Sequence, residues 1–197
     1  MSAETIEEVA DRSLASGARG MLALDGSDVE NGRRLLVGLA LSWVFGLGIA
    51  LATGRWTASL GVPALLALVG SVGVPSVVIG LVLARTELDA RDAARAAVHG
   101  IATTGLLLGG LTPATVLYVA GTTDPTIRFW VSSVVLAAAG ALGLVRMAHT
   151  LLTRAQAPGI RVAAIGIVAA FAVFSAALGA RVWSGVGPTL TASEVTP

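Results

Sequence analysis

The stretch Leu35–Thr53, LLVGLALSWVFGLGIALAT, holds no charged residue over nineteen positions and is fenced by Arg34 before it and Arg55 just after it. Crossing the ~30 Å hydrocarbon core of a bilayer takes about 20 mostly apolar residues as a helix. This segment is long enough. Four further runs of the same kind follow, each bounded by arginine: Leu60–Ala84, Val98–Ala120, Phe129–Val145 and Val162–Ala180. Together they predict an all-α polytopic membrane protein, a bundle of five transmembrane helices with an amphipathic helix on the cytoplasmic side at the N-terminus.

Composition points the same way. Of 197 residues, 55% are hydrophobic and 13% charged, with a mean hydropathy of +0.83. A soluble domain needs about 25% charged residues for its wetted surface, so globular, disordered and coiled-coil classes are excluded. The formal net charge of +1 gives no dedicated nucleic-acid surface. There is no cysteine, hence no disulfide, thiolate metal site or cysteine nucleophile. All thirteen basic residues are arginine, in a chain rich in Ala, Val, Leu and Gly. That usage matches a high-GC bacterial genome, for which the inner membrane is the expected location.

Residues 1–34 read as a cytoplasmic tail. With seven acids, four arginines and no apolar core they lack the pattern of a signal peptide. Thr5 and Glu8 have capping-box spacing ahead of Ile6, Val9, Ala10 and Leu14 on one face, which predicts a short amphipathic helix. Asp25-Gly26 and Asn31-Gly32 are turn signals that make 20–32 a linker. Residues 35–181 form the transmembrane domain, and 182–197 a short external tail.

Short cytoplasmic loops are enriched in positive charge, and an odd number of spans sorts the arginines clearly. Arg12, Arg19, Arg33, Arg34, Arg85, Arg91, Arg95, Arg146, Arg154 and Arg161 fall on one side, against Arg55, Arg128 and Arg181 on the other. The N-terminus is therefore expected inside and the C-terminus outside. Trp56, Tyr118, Trp130 and Trp183 fall at the outer ends as an interface belt, where half-wet aromatic rings gather. Trp43, alone in mid-span, should face a helix or a lipid chain.

Small residues recur every fourth position in the first span, at Gly38, Ser42, Gly46 and Ala50, and the third adds Gly105 and Gly109. Close helix approach in lipid needs such grooves, so these are expected packing seams. Span four contributes Ser133, Ala137 and Ala141, and span five Gly166 and Ala170. Pro75 and Pro113 are candidate helix breaks, since each removes a backbone donor inside the membrane. Thr86 and Asp89 have the spacing of a capping box that starts a helix in the cytoplasm and runs it into span three, with Glu87 and Arg91 an i,i+4 pair upon it.

Catalytic chemistry finds no support. No span carries an acid or arginine in its middle, which weighs against coupled transport and voltage sensing. His99 near an inner span end and His149 in the fourth loop read as interfacial histidines rather than metal ligands. No nucleophile elbow, zinc-protease motif or phosphate loop is present, so neither an enzyme nor a cofactor is expected.

The middle of the chain, where Val74-Pro75-Ser76 leads through a charged loop to Gly110-Leu-Thr-Pro-Ala114 and Tyr118, resembles the Yip1-like five-span membrane proteins. That resemblance implies membrane organisation, trafficking or an accessory role beside transporters, without catalysis. The leading expectation is a non-catalytic subunit, anchor or scaffold of a larger membrane assembly, with the lipid bilayer and other membrane subunits or further copies of itself as partners. The alternative is a small channel or facilitator for a neutral solute, lined by Gly, Ser and Thr near Pro75 and Pro113.

Overall fold

The computed structural model describes residues 28–84, 88, 90–155 and 157–191, with side chains left aside at 28, 58 and 183–191. These residues form five helices: α1 Asp28–Thr53, α2 Thr57–Leu83, α3 Ala90–Gly121, α4 Pro125–Arg154 and α5 Pro158–Thr191. Each is long and apolar enough to cross a membrane. The shortest has 26 residues, about 39 Å at ~1.5 Å rise per residue, so every helix is longer than a ~30 Å hydrocarbon layer. Among the described residues there is no strand.

Short connections make sequential helices antiparallel neighbours, and three of the four here are only three residues long. Gly54 takes the left-handed conformation (φ +73°) that ends α1. Asp124 caps α4 by accepting from Thr126 N at 2.8 Å, ahead of Pro125 at the first turn. The Arg128 Nε donates to Thr122 O at 2.6 Å in this loop, and Arg161 Nε donates to Ala155 O at 2.9 Å in the next.

The most extensive contacts join α1 to α3 and α3 to α4; α1–α2, α2–α5 and α4–α5 complete a ring, with only a thin contact of α2 with α3 across it. Two apolar clusters fill it. One gathers Phe45, Ile49, Val62, Leu108 and Val119. The other gathers Val77, Leu81, Met147, Leu151 and Phe171 toward the opposite end.

Several boundaries differ from those read in the sequence. The first helix starts at Asp28, so Asn31-Gly32 is helical rather than part of a linker. Asn-Gly favours turns, but here the stretch is helical, with Asn31 buried and Glu30 paired with Arg34 across one turn at 2.7 Å. The fourth helix continues past Arg146 to Arg154, which places His149 on a helix and not in a loop. The fifth continues to Thr191, so much of the stretch read as a tail is helix. Pro75 and Pro113 do not break their helices. Hydroxyls beside them bond carbonyls of the same helix, Ser76 to Val72 O (2.9 Å) and Thr112 to Leu108 O (2.8 Å). The helix read at residues 5–14, the Thr86/Asp89 box and Glu87 lie outside the described residues.

Candidate functional site

Of the small residues singled out in the first and third spans, Gly38 and Gly105 meet. Ser42 and Ala50 are buried to within 1%, Gly38, Gly46 and Gly105 are buried too, and Gly109 is half-buried. A Cβ added at Gly38 would lie 2.8 Å from Ala102 Cα, and one at Gly105 would lie 2.6 Å from Gly38 Cα and closer still to Gly38 O. Backbone therefore touches backbone, which only glycine on both sides permits. The contact between α1 and α3 extends through Gly109 against Leu41 and Gly48 against Val116, with Leu41 and Gly48 lying outside the row read at every fourth position. Ser42 donates to Leu39 O at 2.7 Å and so spends its hydroxyl inside its own helix.

The seam between α3 and α4 uses residues that sequence spacing did not single out. A Cβ at Gly143 would meet Gly100 O at 2.7 Å and the Thr104 hydroxyl. Thr104 donates to Gly100 O at 3.0 Å and reaches Ala139 O across the seam at 3.4 Å. Ser132, Ala139, Gly143 and Met147 form the buried face of α4, while Ala137 and Ala141 of the row read from sequence are exposed. A second small-residue row was legible in Ala139 and Gly143, but nothing in the sequence ranks it above its neighbour. On α5, Gly166 and Ala170 are exposed.

Charge gathers at the end of the bundle where α1, α3 and α5 begin. Arg154 of α4 donates to Asp92 of α3 at 3.0 Å, tying the two helices there. His99 is 1% exposed inside the bundle, whereas His149 is exposed. Among the described residues no group of three His, Cys, Asp or Glu could hold a metal.

No family model, curated protein or solved structure matches the chain. Its geometry is thus the main guide to function. The rings read as a belt, Trp56, Tyr118 and Trp130, are 64%, 53% and 63% exposed at the end holding the 54–56 and 122–124 connections. The Trp183 side chain lies outside the described residues. Trp43 is 46% exposed. Pro75 and Pro113 are both exposed, on helices that scarcely touch, so the structure does not bring them together.

Proposed function

We propose that this chain is a non-catalytic membrane subunit, anchor or scaffold of a larger assembly, in the manner of the Yip1-like proteins it resembles in topology. One observation carries this reading. The small-residue seams of α1 and α3 are consumed within the chain, while α5, the least buried helix, leaves Gly166 and Ala170 exposed one turn apart. A Cβ at Gly166 would meet nothing within 4 Å. In lipid, where apolar area alone does not drive association, such a groove is what allows another helix to approach. The assembly belongs to the bacterial inner membrane on this reading. A Gly/Ser/Thr-lined solute path near Pro75 and Pro113 has less support, since both prolines are exposed and the hydroxyls beside them bond their own helices.

The chain contains no cysteine, which makes both this reading and its orientation testable. Gly166→Cys, treated in native membranes with a thiol-anchored photo-crosslinker, is expected to give a discrete species heavier than the 19.7 kDa chain. The same reagent at Leu117→Cys, on an exposed face of α3, is expected to give none. A lone monomer at both positions would overturn the proposal. For orientation, Ser193→Cys is expected to react with an impermeant maleimide in intact cells and Ser2→Cys only after lysis; the opposite pattern would place the N-terminus outside.

A further inference from the structure

A cavity of about 580 Å³ lies between α2, α3, α4 and α5. Ligand sites typically occupy ~300–1,000 Å³. Its floor is buried, formed by Leu65, Gly100, Met147 and Phe171, while its rim residues Trp130, Ala137, Ala141, Ala176 and Ala180 are exposed. All five rim residues belong to α4 and α5, so the mouth opens sideways between those two apolar helices. Along α4 the lining runs from Phe129 to Met147, about 27 Å at ~1.5 Å per residue. The cavity is thus long, narrow and entered from bilayer depth.

The walls are built to leave this space open. A Cβ at Gly140 or Gly179, both lining residues, would meet nothing within 4 Å. Phe171 is drawn off the cavity axis onto α2, where Gly73 lets its ring rest against the backbone: a Cβ there would lie 2.8 Å from Phe171 Cζ. Protein interiors are otherwise close-packed, because a void forfeits the dispersion contacts of every atom lining it.

Among the described residues the lining contains no charged residue. Of its hydroxyls, Thr104 donates to Gly100 O and Ser133 to Phe129 O. Ser175 differs. Its Oγ is shielded from solvent and has no hydrogen-bond partner among the described residues, whereas Ser42, Ser71, Ser76, Ser132 and Ser133 each donate to a carbonyl of their own helix and Ser59 to the carbonyl of the N-cap Trp56. A hydroxyl in an apolar wall is costly without an acceptor. Ser175 therefore offers one donor to whatever fills the cavity.

We propose that this cleft binds a neutral acyl-chain lipid. The lipid enters between α4 and α5, lays its hydrocarbon chain along Gly140 toward Met147, and places an ester carbonyl oxygen as acceptor for Ser175 Oγ. A charged headgroup does not fit so deep, because no cationic side chain among the described residues lines the wall to receive it. This assignment is independent of the subunit role proposed above.

The test uses the full chain in nanodiscs containing a diacylglycerol with a diazirine at the end of one acyl chain, with photo-labelled positions mapped by peptide sequencing. Label is expected to concentrate on 140–147 of α4 and 97–101 of α3, and to be displaced by unlabelled diacylglycerol. Gly140→Leu and Gly179→Leu fill open space, so each should leave thermal stability intact while lowering pocket labelling about tenfold. Gly110→Leu, which also enters open space but lies outside the lining, should leave labelling unchanged. Ser175→Ala should lower it about threefold, the worth of one modest hydrogen bond. Labelling spread evenly over the exposed faces, or unaltered by the two leucines, would overturn the site. Equal labelling by a diazirine phosphatidylglycerol would overturn the neutral-lipid assignment, and no effect of Ser175→Ala would overturn the carbonyl contact.

Discussion

Gly105→Ala is expected to destabilise the bundle by about 2–3 kcal/mol, toward the upper end of the cost of overpacking a tight core. Helix propensity alone predicts the opposite sign, because Ala is favoured over Gly by about 0.8–1 kcal/mol in a helix interior. The deciding fact is what the added methyl meets. At Gly105 it lies 2.6 Å from Gly38 Cα and nearer still to Gly38 O, and neither atom belongs to a side chain that can rotate away. Relief requires α1 to withdraw from α3, which also loosens Gly109 on Leu41 and Gly48 on Val116 farther along the interface. Gly110 provides the control: a Cβ there meets nothing within 4 Å, so Gly110→Ala should be neutral or slightly stabilising. Reversible unfolding in mixed micelles with increasing dodecyl sulfate would compare the pair. Equal stability of Gly105→Ala and the parent would disprove the backbone contact between α1 and α3.

Gly143→Ala is expected to cost less, about 1–2 kcal/mol. Its methyl would meet the Gly100 carbonyl oxygen at 2.7 Å together with the Thr104 hydroxyl. Thr104 can turn away, but only by surrendering its bond to Gly100 O and its reach to Ala139 O. Interhelical hydrogen bonds in membranes average about 0.6 kcal/mol, so the rotation gives partial relief and not full recovery. Residues in contact couple. In a double-mutant cycle with Thr104→Ala, the pair should therefore be less damaging than the sum of the single changes by about 0.5–1 kcal/mol. Strict additivity would show that Thr104 does not bear on Gly143. Gly140→Ala, three residues earlier and facing open space, should again be harmless.

These contrasts show where the sequence was legible. The Gly38, Ser42, Gly46, Ala50 row stood out because small residues recur every fourth position among larger ones; of that row Gly38 lies against the α3 backbone, while Leu41 and Gly48, outside it, make the contacts farther along. On α4 the same logic met two competing rows in an Ala-rich helix, and Ala139 with Gly143 packs while Ala137 and Ala141 face outward. Proline was over-read as a break, since Pro75 and Pro113 pass through continuous helices. The cavity left no trace in the sequence. Its walls are alanines, glycines and leucines from four helices, none unusual where it stands, and the one polar clue, Ser175, resembles every other membrane serine until its missing partner is seen.

What the sequence determined by itself is five arginine-fenced runs, each long and apolar enough to cross a bilayer as a helix. Transfer of a segment into hydrocarbon depends on that segment's own length and polarity, so each arginine-fenced run can be judged independently of the others. Which faces meet was decided only in the tertiary structure. Lipid solvates apolar side chains as well as a neighbouring helix does, so hydrophobicity cannot choose a partner face; close fit of backbone, hydroxyls and rings chooses it. Gly105 on Gly38, Gly143 on Gly100, Phe171 on Gly73, and the space left beside Ser175 are outcomes of that fit.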